Sequence, residues 1–206
     1  MSQNLPVHAI LLAAGAGRRL GYPKAALKLH GQWMLPELVR NLRFGGAARV
    51  SLVLSDLAMD AIADLGMPEA DDEWINATPD LGRTGSILTA LPAVADNHAV
   101  MIHCCDIPLL RADVVSRMLR AWRKLKSPQS SLVRPVSAGG RGGHPLLIGA
   151  HLVNELRHFG PDQPLRELLH RHQNSTLDLK ITDDPGPFVD VNTPEQLTLI
   201  ESLLTP

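Results

Sequence analysis

The sequence predicts an α/β protein in which helices cover both faces of a mostly parallel, Rossmann-like sheet, giving three α/β/α layers. Apolar runs at residues 7–12, 50–54 and 99–105 alternate with amphipathic stretches at 58–65 and 113–125. This alternation is typical of α/β folds. The runs are apolar throughout, as expected of parallel strands buried on both faces. Such sheets bind ligands at the carboxyl ends of their strands.

Length and charge favour one domain that acts on a small anion. The 206 residues carry a formal net charge of -1, and about 100 to 200 residues per domain predicts a single domain over residues 1–206. Positive charge is concentrated in one loop. Three Trp, one Tyr and three Phe leave few platforms for stacking bases, so we expect no nucleic-acid partner.

Two features predict a soluble, cytoplasmic protein without a membrane partner. Cys104 and Cys105 are adjacent and cannot bridge in an ordinary strand, which favours a reducing compartment. The amino terminus carries no basic residues ahead of its short apolar run. A zinc site built with His103 and His144 is disfavoured, because side chains alternate along a strand and the two cysteines face opposite ways.

The first strand is followed by a glycine-rich loop that predicts a polyphosphate site. Residues 12–24 read LAAGAGRRLGYPK. The glycines permit close approach of the backbone, and exposed N–H groups together with Arg18, Arg19 and Lys24 favour negative charge. The spacing excludes a Walker loop, which needs Gly-Lys followed by Ser or Thr. Leu20 stands where a dinucleotide-binding fingerprint needs glycine.

Asp106 is the candidate metal ligand, because it follows the run 99–105 and its carboxylate should project from a strand end toward the phosphate loop. Magnesium takes one or two hard oxygen ligands from a protein and the rest from phosphates and water. An Asx turn before Pro108 is the alternative explanation.

Near the carboxyl terminus, residues 188–191 predict a short strand and Thr193 predicts a helix N-cap. Pro194 suits the first helical position, and Gln196 completes a capping box. Capping accounts for these residues, so we assign them no chemistry.

Three other segments predict local structure or a site residue. Ser86 precedes a helical stretch at residues 87–94 and is a candidate N-cap. Residues 127–143, rich in Ser, Gly and Pro, predict a mobile loop between strands that closes over an acceptor. His144 begins the apolar run 145–148 and is either a site residue or a histidine beside a glycine turn.

Taken together, six ordered segments carry a family resemblance that extends along nearly the whole chain. They are residues 12–24, residues 76–91 (NATPDLGRTGSILTAL), Cys105-Asp106-Ile107-Pro108, Gly142-Gly143-His144-Pro145 with Asp162 to Arg166, and Asp190-Val191-Asn192-Thr193-Pro194. This pattern resembles nucleotidyltransferases with a MobA-like fold, and within them it is most similar to molybdenum cofactor cytidylyltransferases. The resemblance implies a sheet of the nucleotide-diphospho-sugar transferase type.

The resemblance also implies roles for individual residues. It implies that Arg19, Lys24 and Asp106 are catalytic and that Asp106 binds the metal together with Asn192 or, as second choice, Asp190. The implied nucleotide-binding residues are Leu12, Ala13, Ala14, Gly15, Gly17, Arg19, Lys24, Gly85, Ser86 and Asp106. The implied acceptor-binding residues are Gly143, His144, Asp162 and Arg166, although an i,i+4 helix pair would also explain the last two.

The resulting functional hypothesis is a Mg²⁺-dependent transfer of CMP from CTP to the phosphate of molybdopterin or molybdenum cofactor, with release of pyrophosphate. CTP is preferred over another NTP because Leu-Ala-Ala-Gly, with Ala14, resembles the pyrimidine-using branch. One alternative keeps the chemistry with a sugar or alcohol phosphate as acceptor. Another is a non-catalytic nucleotide- or cofactor-binding chaperone of a molybdoenzyme, because Cys105, Pro161 and Pro164 depart from the family pattern. A dinucleotide oxidoreductase is disfavoured by Leu20.

Overall fold

A seven-stranded sheet with helices on both faces forms the framework of the computed structural model, which describes residues 5–204. The strands are β1 (Val7–Leu12), β2 (Lys28–Leu29), β3 (Gln32–Trp33), β4 (Arg49–Leu54), β5 (Asp72–Ile75), β6 (Ala99–Cys104), β7 (Leu132–Val136), β8 (Leu146–Ile148) and β9 (Thr176–Lys180). The helices are α1 (Met34–Phe44), α2 (Asp56–Ile62), α3 (Arg83–Ala90), α4 (Ala112–Arg123), α5 (Ala150–Leu156), α6 (Arg166–Arg171) and α7 (Pro194–Leu204).

The large sheet has the order β5-β4-β1-β6-β8-β7-β9, while β2 and β3 form a separate ribbon. The strands β5, β4, β1 and β6 pair in parallel. The strand β8 is antiparallel to both β6 and β7, and β9 runs parallel to β7. The predicted mostly parallel α/β/α sheet is therefore confirmed.

Side chains alternate across the sheet and produce two cores. Residues of α1, α2 and α4 pack on one face with Ala9 and Leu11 of β1. Residues of α3, α5 and α6 pack on the other face with Ile10 and Leu12. Cys105 belongs to the first core and Cys104 to the second, which confirms that the adjacent cysteines face opposite ways.

The structure corrects the loop predicted over residues 127–143. This segment contains β7, the strand between β8 and β9, so the irregular part between strands begins only after Val136. The proline content is tolerated because β8 pairs with β7 only at Leu132 and Val133. Pro135 therefore lies beyond that pairing, where it needs no N–H donor toward β8.

Two further expectations were wrong. Residues 188–191 do not form a strand; a 3-10 turn covers Gly186–Phe188 instead. Ser86 is not an N-cap, since α3 begins at Arg83 and Gly82 holds the cap position with φ +108°. The positive φ explains this, because glycine alone adopts it at low cost.

The predictions of Thr193 as the N-cap and Pro194 as the first helical residue are confirmed, whereas the reciprocal bond of the capping box goes to Asn192 rather than to Thr193. The helix α7 begins at Pro194, and the N–H of Gln196 donates to Thr193 Oγ1 at 3.3 Å. The Gln196 side chain reaches back to accept from the N–H of Asn192 at 2.8 Å. Among residues 5–204 no helix is long and apolar enough to cross a membrane.

We expect Gly45→Ala to destabilise the protein, because a Cβ there would lie 2.3 Å from Cβ of Val115 and 2.9 Å from the carbonyl oxygen of Ala112. Overpacking of this kind costs about 1–3 kcal/mol. Urea denaturation measures the loss. Gly139→Ala is the matched control, since its nearest atom is 4.0 Å away. Equal stability of the two variants would contradict the tight packing of α1 against α4.

We also expect His103 to make folding sensitive to acid. Burial lowers the pKa of His103 from 6.5 to about 3. The unfolded chain therefore binds one more proton than the folded chain between those values, and stability falls as the pH drops through this window. In this window the free energy of unfolding of the wild-type protein should depend on pH more steeply than that of His103→Gln, by up to about 1.4 kcal/mol per pH unit. Denaturant unfolding at several pH values measures it; identical slopes would contradict a buried neutral imidazole.

Candidate functional site

The candidate site lies at the switch point of the parallel sheet, where the connections after β1 and β6 diverge. These strands are neighbours, with Leu12 opposite Cys104, and the N–H of Cys105 donates to the carbonyl of Leu12 at 3.0 Å. The chain leaves β1 toward β4 on one side, whereas β6 lies on the other side. The divergence opens a crevice at the carboxyl ends, the usual ligand site in such sheets.

The glycine-rich loop folds back on itself within this crevice. The N–H groups of Leu20 and Gly21 both donate to the carbonyl of Gly17, at 2.8 and 2.9 Å. Gly17 has φ +61°, and a Cβ on it would lie 1.9 Å from the carbonyl oxygen of Tyr22. Glycine is therefore required at this position, because any side chain would push apart the two arms of the loop.

Lys24 links the segment after β1 to the segment after β6. Its ammonium group donates to Asp106 Oδ2 at 2.9 Å and to Asn192 Oδ1 at 2.6 Å. The Lys24 and Asp106 side chains are 14% and 21% exposed, so this ion pair is largely removed from water. Residues separated by 82 and 168 positions thus meet at one cationic point, as the sequence predicted for Asp106 and the phosphate loop.

The segment before α7 is tied directly to Asp106. The N–H of Val191 donates to the carbonyl of Asp106 at 2.7 Å, which fixes Asn192 beside it. The Asn192 amide nitrogen donates to Asp190 Oδ2. Asp190 Oδ1 also accepts from Arg141 at 3.1 Å. Asn192 thus directs its amide oxygen toward Lys24, while Asp190 is engaged by two donors.

A first cavity of about 300 Å³ lies over the loop. Its lining includes most of the predicted nucleotide-binding residues, namely Leu12, Ala14, Gly15, Gly17, Arg19, Lys24, Ser86 and Asp106, together with Asn192. Ala13 and Gly85 do not line it. Ala13 is 1% exposed and packs into a core. The Gly85 N–H donates to the carbonyl of Pro161, so Gly85 faces the 160–165 segment instead.

Ser86 reaches the first cavity from inside α3. Its hydroxyl accepts a hydrogen bond from the Asn76 side chain at 2.9 Å, and both residues are buried. The Asn76 carbonyl oxygen in turn accepts from the N–H of Thr78 at 2.9 Å. This network orders the wall of the cavity formed by residues 76–86.

A second, larger cavity of about 680 Å³ lies next to the first. The four predicted acceptor-binding residues, Gly143, His144, Asp162 and Arg166, all line it. The alternative of an i,i+4 helix pair does not form, because α6 begins only at Arg166 and Asp162 lies in the preceding turn. The remaining lining combines Arg83, Arg134, Thr84 and Gln163 with apolar side chains such as Leu146, Leu165 and Leu169.

A third cavity of about 320 Å³ adjoins the first two and is lined by the metal-ligand candidates Asp106, Asp190 and Asn192. Arg19, Asp106 and Asn192 line both the first and the third cavity. Gly143 and His144 line both the second and the third. Phosphate-loop, carboxylate and histidine side chains therefore border one continuous region.

Two histidines lie close together at this region: His103 is buried, and His144 is partly buried and borders the second and third cavities. The ring centroids of His103 and His144 are 6.3 Å apart, and Nε2 of His103 is 2.9 Å from the carbonyl oxygen of Ile107. Burial, followed by the charge of Arg83, lowers the pKa of His144. His144 is therefore favoured as a neutral group that can donate or accept a hydrogen bond in the cavity.

The cysteine beside the cavities is chemically inert. Burial, followed by the charge of Asp106, raises the pKa of Cys104 to about 12. A thiol with so high a pKa is a poor nucleophile at neutral pH. Cys105, which departs from the family pattern, borders the first cavity but is only 4% exposed, because its side chain packs into the core with α1, α2 and α4.

Arg83 is the residue that sequence reasoning missed. It begins α3 and lines all three cavities. Its position after Gly82, within one of the six matching segments and three residues before Ser86, was the available sequence clue. Arg134 was missed because it lies within the segment that the sequence predicted to be a loop.

Comparison with curated proteins finds two kinds of relative. The chain is 30% identical over 140 residues to a bifunctional protein GlmU of Xanthomonas oryzae pv. oryzae, covering 66% of this chain and 30% of that protein. The chain therefore spans less than a third of the GlmU relative that it matches. It is 28% identical over 200 residues to a molybdenum cofactor guanylyltransferase of Shewanella sediminis, covering 94% of each chain.

The fold is also that of solved structures. Rv0371c from Mycobacterium tuberculosis H37Rv superposes with a TM-score of 0.80 at 21% identity, covering 96% of this chain and 97% of that one. The same protein has been solved in complex with manganese, with a TM-score of 0.75. At this level of identity the likeness establishes the fold alone.

The family assignment comes from the sequence. The model of the MobA-like NTP transferase domain matches residues 9–176. This range begins within β1 and includes the glycine-rich loop, Asp106 and the lining of the second cavity. The chain therefore belongs to the MobA-like NTP transferase domain family.

Proposed function

We propose that this protein is a nucleotidyltransferase that transfers CMP from CTP to the phosphate of a molybdopterin-type acceptor, using Mg²⁺ and releasing pyrophosphate. The observation that carries the proposal is the meeting of Lys24 with Asp106 and Asn192 between two adjoining cavities. One cavity has a phosphate loop, and the other offers guanidinium groups beside apolar walls. Two phosphorylated substrates can therefore meet at one charged point.

The chemistry of the second cavity supports an acceptor with both a charged group and a ring system. Its volume of about 680 Å³ is within the usual range for pockets that hold small organic ligands. Arg83, Arg134 and Arg166 supply positive charge, while Leu146 and Leu165 supply apolar surface. The relative that matches 94% of the chain is described as a molybdenum cofactor guanylyltransferase, which supports a molybdopterin-type acceptor.

The first cavity supports CTP through Ala14. This residue is 4% exposed and contributes to the lining. In guanylyl-transferring enzymes that the sequence resembles, glycine stands at the Ala14 position, and an added methyl group leaves less room for a base. The relative that aligns over 94% of the chain is described as a molybdenum cofactor guanylyltransferase. GTP is therefore the competing nucleotide that the experiment must include.

The oxygen donors fit a hard divalent cation. The carboxylate of Asp106 and the amide oxygen of Asn192 already reach a single cationic centre, the Lys24 ammonium. Within residues 5–204 no group of three or more His, Cys, Asp or Glu side chains converges on one point. A magnesium ion held by Asp106 and Asn192 would take its other ligands from phosphates and water, as it usually does.

The proposed reaction needs no strong protein base. A phosphate monoester is already ionised near neutral pH, so one of its oxygens can attack the α-phosphorus of CTP directly. The bond from the α-phosphorus to the bridging oxygen breaks, and pyrophosphate leaves with that oxygen. Lys24 and Arg19 bind the α- and β-phosphates and the departing pyrophosphate. When bound, Mg²⁺ supplies further neutralisation of phosphate charge.

The cytoplasm is the location we propose, since a reducing compartment suits the two cysteines. Cys104 and Cys105 are both free and buried. Buried free thiols are ordinary in reduced compartments, where disulfides are rare.

The first experiment measures pyrophosphate release with Mg²⁺, molybdopterin or molybdenum cofactor as acceptor, and CTP, GTP, ATP or UTP in turn. We expect release with CTP. Asp106→Ala should lower the rate by on the order of 10²–10³, as loss of a transition-state charge contact does.

Asp113→Ala is the matched control, because Asp113 is exposed and lies in α4, outside the lining of the three cavities. Release with GTP instead would overturn the choice of nucleotide. Binding of a nucleotide without turnover on any phosphorylated acceptor would favour the non-catalytic chaperone.

We expect Lys24→Met to have opposite effects on metal affinity and on turnover. In the protein without nucleotide, the Lys24 ammonium lies against the oxygens that would hold the metal. Its removal should tighten Mn²⁺ binding at least about tenfold, because repulsion between close, partly buried cations exceeds 1.4 kcal/mol. Turnover should nevertheless fall by on the order of 10²–10³.

Mn²⁺ titration followed by electron paramagnetic resonance measures the first effect, and Lys28→Met, an exposed change nearby, is the control. Unchanged Mn²⁺ affinity in Lys24→Met would show that Asp106 and Asn192 do not bind the ion.

A further inference from the structure

Arg83 occupies the junction between the two substrate cavities. Both Arg83 and Cys104 line the first and the second cavity, and Arg83 also lines the third. The Arg83 guanidinium lies near the Cys104 thiol, at the end of β6. Lys24 and Arg19 are absent from the lining of the second cavity, and Arg134 and Arg166 are absent from that of the first. Arg83 is thus the cationic side chain that borders both.

The Arg83 guanidinium has no carboxylate partner within 4 Å among residues 5–204. By contrast, Arg18 pairs with Asp80, Arg134 with Asp178 and Arg141 with Asp190. Arg83 retains unused donors in a planar fork, which can bind two oxygens at once. Its free charge is directed to the region where an anion would bind.

The backbone at the start of α3 is fixed by contacts of the two residues that follow Arg83. The hydroxyl of Thr84 donates to the carbonyl of Gln163 at 2.6 Å, and the N–H of Gly85 donates to the carbonyl of Pro161 at 3.0 Å. Both contacts reach the turn that borders the second cavity. The turn that carries Asp162 and the helix that carries Arg83 therefore form one wall.

The proposed reaction places two anions in contact. The acceptor phosphate carries about -1.5 to -2 charges near neutral pH, and it must approach a triphosphate that is also negative. Lys24 and Arg19 neutralise the nucleotide side only, because neither borders the acceptor cavity. A protein cation that touches both phosphates would add to the neutralisation that Mg²⁺ supplies and would reduce the repulsion between them.

We propose that Arg83 is a further catalytic residue, which bridges the acceptor phosphate and the α-phosphate of the nucleotide as they react. This inference rests on the proposed nucleotidyl transfer. As an acceptor oxygen bonds to the α-phosphorus and the bond to the bridging oxygen of pyrophosphate breaks, Arg83 stabilises the negative charge shared by the two phosphates. Arg83 acts through its positive charge and its planar fork of donors, and it transfers no proton.

The test compares steady-state kinetics of Arg83→Gln and Arg83→Lys with those of the wild-type protein, using CTP, Mg²⁺ and the phosphorylated acceptor. Arg83→Gln should lower kcat by on the order of 10²–10³, with little change in the KM of the nucleotide. Arg83→Lys should recover part of the loss, because it restores the charge without the planar fork. Arg166→Gln, in the acceptor cavity alone, should raise the KM of the acceptor with a smaller effect on kcat.

The control is Arg120→Gln, which removes the same charge from an exposed residue of α4 outside the cavity linings. Thermal unfolding of each variant tests whether loss of the contact to Cys104 merely weakens the fold. A near-normal kcat in Arg83→Gln, or an equal loss in Arg83→Lys and Arg83→Gln accompanied by a lowered Tm, would overturn the inference. Absence of turnover in the wild-type protein with every acceptor would instead refute the proposed function.

Discussion

The contact of the Lys24 ammonium with Asp106 and Asn192 is the interaction on which the candidate site depends. It joins the connections after β1 and β6 to the segment before α7. Each partner alone would be a solvated side chain at the edge of a sheet. Together they form a largely buried ion pair, and breaking one member of such a pair leaves an uncompensated charge. The structural contact and the proposed chemistry therefore use the same three groups.

The parallel register makes this contact possible. Since Leu12 lies opposite Cys104, the phosphate loop and Asp106 leave the sheet at the same level. The backbone bond from Val191 to Asp106 then fixes Asn192 at that level too. A third apolar cluster, which includes Leu20, Val191 and Ile200, packs the phosphate loop against α7. Apolar packing thus holds charged groups in place at a position where they would otherwise repel or disperse.

The two cavities differ in chemistry for a reason that lies in the fold. The first is bordered by the glycine-rich loop, whose tight turn depends on Gly17. The second is bordered by the less regular half of the sheet, where β8 runs antiparallel and α6 begins at Arg166. The first cavity is therefore bordered by a conformationally restricted loop, and the second by turns and short elements.

The sequence by itself determined the layered α/β fold, the loop after the first strand and the place of Asp106, because hydrophobic period, glycine and charge are local properties of a chain. It also determined the cap at Thr193. The tertiary structure alone decided that residues 127–143 include a strand of the large sheet, that Ser86 lies inside a helix, and that Arg83 borders both cavities. These outcomes depend on pairing with β8 and β9 and on contacts with the 160–165 turn, and no local pattern encodes contacts between distant segments.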